Sequence, residues 1–222
     1  ALRALAGAHA DEALQYAQSA LRVFSQLYGE YPYPSLTVAG AAFPMGGMEY
    51  PGLVMIGERI LSAGGKELEY AVAHEVAHQW WYALVGSDSV NQAWQDEALC
   101  EFSVLSYAER LYGKAAKETL YEDRIAASMR VTMPRGVTPG APLSYFHTAA
   151  QYQTLVYERG AAMLCALNDM TGDKLNDFLK RYAERYAFGR ASREDFLTLL
   201  NQFAGEDLGP LMVDYLDTYI AP

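Results

Sequence analysis

Between residues 11 and 28 apolar side chains recur at Leu14, Ala17, Leu21, Phe24 and Leu27, a spacing of three or four that predicts an amphipathic helix ended by Gly29. The period then changes. "YPYPSLTVAGAAF" joins prolines to a β-favouring run, and "GLVMIG" is a second short apolar run bounded by glycines. These two predict strands of a small sheet, with "PMGGMEYPG" (residues 44–52) as the loop between them. From about residue 66 the text reads as helix, near 67–85, 93–112, 114–130, 152–171, 173–187, 193–203 and 207–220. The breakers are Gly86, Gly113, a Pro/Gly-rich loop from Pro134 to Pro142, Gly172, Gly189 and Gly205. Ser192, with Asp195 in the third position after it, predicts a capping box. The pattern therefore predicts an α+β fold, predominantly α. A helix and a small N-terminal sheet region occupy 1–65, and a helical body occupies 66–222, with no internal repeat or long linker.

Composition narrows the function classes. A chain of 222 residues that is 51% hydrophobic can bury one substantial core or two lobes sharing a cleft. Runs such as "LVMIG" and "AAMLCAL" are too short to span a bilayer, and no charged-then-apolar leader opens the chain, so no membrane contact is expected of this segment. It opens on Ala1 rather than Met, and the expectation is a domain of a longer, multidomain chain. A formal charge of -10 argues against a nucleic-acid groove and suits a cationic or ammonium-bearing partner. Cys100 and Cys165 form no CxxC pair and read as small core residues.

The chemistry is concentrated in "AVAHEVAHQWW". On a helix His74 and His78 project from one face, about 40° and one turn apart, which is chelating geometry for a metal. Glu75 emerges about 60° round from His78, poorly aimed to ligate but placed for a base acting on water at that metal. The flanking text is apolar and aromatic, so these polar groups would be buried unless something satisfied them. Catalytic zinc generally takes three protein ligands. Glu97, which follows His78 after 18 intervening residues and a turn-forming "GSDSVNQ", can fold back to supply the third. Asp96 and Glu101 are the expected outer partners. Glu101 lies one turn beyond Glu97 on the same face, able to accept from a ligand histidine's free N–H.

Three separated motifs, in order, make the sequence resemble the catalytic domain of the M1 family of zinc metallopeptidases. These are the gluzincin aminopeptidases, a group that includes aminopeptidase N and leukotriene A4 hydrolase. "GGMEY" resembles the family's Gly-x-Met-Glu-Asn loop, "HEVAHQWW" with Glu97 its HExxH-x18-E zinc motif, and "VYERGAAML" its Tyr-x-x-Gly helix. "YPYPSLTVAGAAFPMGG" and the ending "LDTYIAP" resemble the edges of that domain, so the likeness spans nearly the whole chain.

The resemblance implies a thermolysin-like catalytic fold with one zinc ion and peptide substrates bearing a free N-terminus. It implies that Gly46, Gly47 and Met48 lie along the substrate and that Glu49 grips its α-ammonium. It also implies that Tyr157 stabilises the oxyanion of the tetrahedral intermediate. Family members usually carry an N-terminal β-rich and a C-terminal helical domain, both missing from this segment. Tyr50 stands where the family usually has asparagine. The expected activity is zinc-dependent removal of N-terminal residues from peptides, with Glu75 as base. The alternatives are a thermolysin-type endopeptidase or a catalytically weak domain serving binding. His147 receives no role, and Arg159 and Arg190 are candidates for a substrate carboxylate.

Overall fold

In the computed structural model, which describes residues 2–4 and 9–218, the chain opens with strand β1 (Leu2–Ala4) and helix α1 (Ala10–Tyr28). The predicted strands are β2 (Leu36–Ala41) and β4 (Leu53–Gly57), paired parallel. The segment between them is not only a loop. Gly47–Tyr50 forms strand β3, antiparallel to β4, with Glu49 opposite Val54 and Met48 opposite Met55. Glycine and proline text reads as a turn, but the β4 backbone alongside supplies a ladder that local propensity does not reveal. The sheet order is β1-β2-β4-β3, which leaves β3 at an edge.

Helix α2 (Glu58–Ala63), which the apolar pattern did not predict, leads into the metal-motif helix α3 (Gly65–Ala77). α3 stops well short of the expected residue 85. Residues 78–81 turn tightly, Tyr82 takes a positive φ of 133°, and the chain passes into β5 (Val85–Gly86). The turn buries both Trp80 and Trp81 completely, on different neighbours: Trp80 Nε1 donates to Gly29 O at 3.1 Å and Trp81 Nε1 to Ser103 Oγ at 2.8 Å. Amphipathic text cannot separate such a turn from more helix.

Next come α4 (Trp94–Tyr112) and α5 (Lys114–Arg124); the expected extension of α5 to 130 is instead a 3₁₀ turn at Ala126–Arg130. After the irregular Pro/Gly segment, α6 (Ala149–Tyr152) and α7 (Gly160–Met170) are joined by seven π-helical residues, Gln153–Arg159. α8 (Leu175–Tyr186), β6 (Gly189–Arg190, parallel to β5), α9 (Arg193–Ala204) and α10 (Gly209–Leu216) complete the body. The Ser192–Asp195 capping box is present at the start of α9. α10 is shorter than the expected 207–220, and the last residues of that range and of "LDTYIAP" lie outside the described residues.

The core explains how α3 and α4 are held. Phe24, Tyr28, Trp80 and Trp81 pack ring to ring beneath α3, and Trp94, Phe178, Tyr182 and Phe196 do the same beneath the start of α4. Each such pair adds about 0.5–1.5 kcal/mol beyond simple burial. Both clusters lie next to site-bearing segments, so the site rests on rigid supports. Cys100 is buried and Cys165 partly so, both as free thiols. Among the described residues no helix is long and apolar enough to cross a membrane.

Candidate active site

His74 sits in the last turn of α3, and His78 just past its end still has helical dihedrals (φ -60°, ψ -14°), so the four-residue spacing keeps both on one face. Their Nε2 atoms are 3.2 Å apart, and Glu97 Oε2, from the first turn of α4, lies 3.2 Å from His74 Nε2 and 3.3 Å from His78 Nε2. Donors bonded to a tetrahedral zinc at about 2.0–2.1 Å stand roughly 3.3–3.4 Å from each other. The triangle therefore has the dimensions zinc requires and the nitrogen-and-carboxylate donor set that suits it.

The opposite nitrogens are tied down. His74 Nδ1 is 3.0 Å from Glu101 Oε1, and His78 Nδ1 is 2.7 Å from Asp96 Oδ1, both contacts of ion-pair length but bent away from hydrogen-bond alignment. His78 Nδ1 is also aligned on Trp81 O at 3.0 Å. Tyr70 donates its hydroxyl to Glu101, and the Arg124 guanidinium carbon lies 3.5 Å above the Tyr70 ring. With each Nδ1 turned toward a carboxylate on the far side, each Nε2 is the nitrogen left to ligate.

Histidine and carboxylate charges in the cluster support each other. Burial works against charge on His74, but the Glu101 and Glu97 carboxylates in contact with it outweigh that and raise its pKa to about 10. His78 is likewise raised, burial being outweighed by the Asp96 carboxylate beside it. Burial also opposes ionisation of Glu97, yet the bonds from His74 and His78 hold its carboxyl well below the usual range. A second set, His78, Asp96 and Cys100, also brings donor atoms within 4.8 Å, but burial pushes the Cys100 thiol up and keeps it protonated.

Glu75 is 7% exposed, and its Oε2 has no hydrogen-bond partner. Burial raises its pKa against the pull of His74 and His78. Strand β3 runs directly over it: a Cβ built on Gly47 would fall within the Glu75 carboxylate, so any side chain there would push that carboxylate aside. An orphaned buried carboxylate beside a metal-sized triangle offers a free acceptor at the place where a proton could be taken up.

Glu49, two residues along β3, is half-buried and forms no hydrogen bond or ion pair among the described residues. Its carboxylate, that of Glu75 and a His78 nitrogen lie within 4.8 Å of one another. Burial pushes its pKa up to about 7, the pull of His78 being offset by Glu75, Glu97 and Asp96. Gly46 O accepts from Gly57 N at 2.9 Å and starts the hairpin, and Met48 occupies the ladder opposite Met55.

Tyr157 stacks on His74, centroids 5.6 Å apart and planes 11° apart. Burial, with Glu97 alongside, raises its pKa well above the ordinary phenol value, so it remains a proton donor. The π-winding of Gln153–Arg159 sets the direction of this ring, and such segments frequently mark functional sites. Gly160 explains the rest of Tyr-x-x-Gly: a Cβ there would come 2.5 Å from Ala98 Cβ, so only glycine lets this helix approach α4 beside Glu97.

The structure thus brings His74, His78, Glu97, Glu75, Glu49, Tyr157, Asp96 and Glu101 into one cluster. Arg159 and Arg190 are not part of it. Arg159 is buried with its guanidinium on Ser128 O and Val131 O, and Arg190 donates to Ser87 O at 3.1 Å. His147 is exposed. Two residues of the cluster escaped sequence reasoning. Tyr70 lies four positions before His74 and hence on its face, a signal the spacing did contain; Gln79 is a polar residue inside "AHQWW" that is fully buried.

Residues 12–215 match the family described as Peptidase family M1 domain, and the chain belongs to that family. Aminopeptidase M1-B of Oryza sativa subsp. japonica is 27% identical over 217 residues, covering 91% of this chain and 25% of its own length. Leukotriene A-4 hydrolase of Xenopus laevis is 26% identical over 207 residues, covering 88% of this chain and 32% of its own. The chain thus spans about a quarter to a third of the curated relatives it matches. Among solved structures, an M1 zinc metallopeptidase from Deinococcus radiodurans superposes with a TM-score of 0.76 at 23% identity, over 93% of this chain and 44% of that one. Native yeast leukotriene A4 hydrolase gives 0.78 at 20%, over 95% and 36%. These likenesses show the same predominantly α, α+β fold.

Proposed function

We propose that the chain is a zinc-dependent aminopeptidase domain, cutting the first residue from peptides with a free N-terminus. The observation that carries this reading is the triangle of His74 Nε2, His78 Nε2 and Glu97 Oε2, with edges of 3.2–3.3 Å, flanked on one side by the unpartnered carboxylates of Glu75 and Glu49. One zinc ion held by these three residues would supply a Lewis acid for the scissile carbonyl and lower the pKa of the attacking water.

The chain's own residues do the rest. Asp96 and Glu101 orient the ligand histidines from behind. Glu75 takes a proton from the attacking water and delivers it to the departing amine. Tyr157 donates its phenolic hydrogen to the carbonyl oxygen as negative charge builds there. Glu49 pairs with the α-ammonium, and Gly47, having no side chain, lets the edge strand lie against Glu75. A substrate with a blocked amine would leave Glu49 desolvated and unpaired, which gives the exopeptidase preference a physical basis.

Zinc titration of chelator-stripped protein tests the metal half of this reading. Saturation is expected at one equivalent, and hydrolysis of an alanyl amide should appear in step with it. Because His74 carries a proton up to about pH 10 in the metal-free cluster and must lose it to ligate, zinc uptake releases protons. Affinity should therefore rise with pH, by about tenfold per unit for each proton displaced. Affinity independent of pH between 6 and 8, or activity without metal, would contradict the assignment.

A further inference from the structure

Gln79 follows the second metal-site histidine directly, and its side chain is 0% exposed. Its amide bridges the active-site hairpin. Nε2 donates to Tyr50 O at 3.1 Å, while Oε1 accepts from Gly52 N at 2.9 Å and from the Tyr31 hydroxyl at 3.5 Å. Tyr50 and Gly52 flank Pro51, which has no N–H of its own, so a single side chain ties both sides of the β3–β4 turn to the end of the metal helix.

β3 is an edge strand of four residues, laddered on one side to β4. Glu49 is the residue before Tyr50. Its backbone is therefore held laterally by β4 and, next door, by an amide that is covalently adjacent to His78. An enzyme that cuts after the first residue must keep its ammonium anchor at a fixed separation from its metal, since one amino acid spans the gap. A misplacement of about 1 Å commonly costs about 10²-fold in rate.

We propose that Gln79 is a positioning residue, setting the distance between Glu49 and the His74–His78–Glu97 triangle and so restricting cleavage to the first peptide bond. The inference rests on the reading of Glu49 as the ammonium anchor. It also accounts for Tyr50, where the family usually has asparagine. The hairpin is gripped through the backbone carbonyl of Tyr50, whose side chain stands in solvent at 46% exposure, so this grip makes no demand on that side chain.

Gln79→Met, close in shape and length but without the amide, is the direct test. Tyr50 and Pro51 are exposed and Gly52 is half-buried, so the turn can shift outward to hydrate Tyr50 O and Gly52 N, and the cost falls on position rather than on folding. In zinc-loaded protein the variant should keep one zinc per chain. Its KM for a leucyl amide should rise about tenfold or more, and leucinol, a free amine with no bond to cut, should bind about tenfold more weakly. Unchanged KM and leucinol affinity would overturn the proposal, as would losses fully explained by lost zinc. If the Met variant does not fold, Gln79→Glu carries the test. It keeps the acceptor for Gly52 N but sets a carboxylate oxygen against Tyr50 O, and should show the same changes at equal or larger size; wild-type values there overturn the proposal too. Glu49→Gln measured alongside separates the two layers. If it leaves leucinol binding intact the anchor reading fails, and with it the inference; if it weakens leucinol while both Gln79 variants bind normally, only the inference fails.

Discussion

Glu75→Gln is expected to lower turnover by about 10³-fold or more while the protein keeps its zinc. General bases commonly contribute about 10²–10⁴-fold. Glu97 is engaged with both histidines, Asp96 and Glu101 face the far nitrogens, and Glu49, the other unpartnered carboxylate nearby, is taken up by the substrate's ammonium in the proposed complex, so no second base is free. The substitution is nearly isosteric and touches none of the three proposed ligands, so the metal content should hold. Stability gives an independent readout. Glu75 has a buried oxygen with no partner and a pKa raised by burial, so its charged form costs stability in the metal-free fold. A neutral amide removes that cost, and the melting temperature of metal-free Glu75→Gln should match or exceed the parent's. Turnover within about tenfold of the parent, with zinc bound, would remove Glu75 as the base.

Tyr157→Phe should lower kcat/KM by about 10²–10³-fold with KM nearly unchanged. The ring that stacks on His74 is retained and one oxygen is lost, so the site's shape should survive. The hydroxyl's bond strengthens only as charge develops on the carbonyl oxygen, and interactions confined to the transition state appear in kcat. Steady-state kinetics with zinc measured in the same samples would separate this from lost metal. A variant whose whole defect lies in KM would make Tyr157 a substrate-binding residue instead.

What could be read from the sequence divides along physical lines. α1, α4, α8 and α9 follow from apolar spacing and from glycines or a capping box at their ends, because those signals are local. The His74, His78 and Glu97 cluster was legible for the same reason, since four residues on one helix and a short turn to the next leave few places for a third donor to go. The features that escaped are those decided by tertiary partners. β3 is a strand because β4 lies beside it, and its one glycine, Gly47, leaves room for Glu75 rather than making a turn. α3 ends at Ala77 because Trp80 and Trp81 are buried in different neighbours, although "WWYALV" reads as more helix. The π-winding before Gly160 has no periodic signature, yet it aims Tyr157; that residue was found among 17 tyrosines only through the family motif. Gln79 is decided in the same way, since the partners of its amide, Tyr50 O and Gly52 N, lie on a hairpin distant in sequence.

The central claim is that Glu49 anchors a free N-terminus one residue from the metal triangle. The most direct test compares initial rates of zinc-loaded protein on a matched pair of leucyl amides, one with a free amine and one N-acetylated. A free-amine preference of about 10²-fold or more is expected, because a half-buried carboxylate would otherwise lose its charged partner. Equal or reversed rates would contradict it, leaving a zinc hydrolase of the endopeptidase type with no N-terminal anchor.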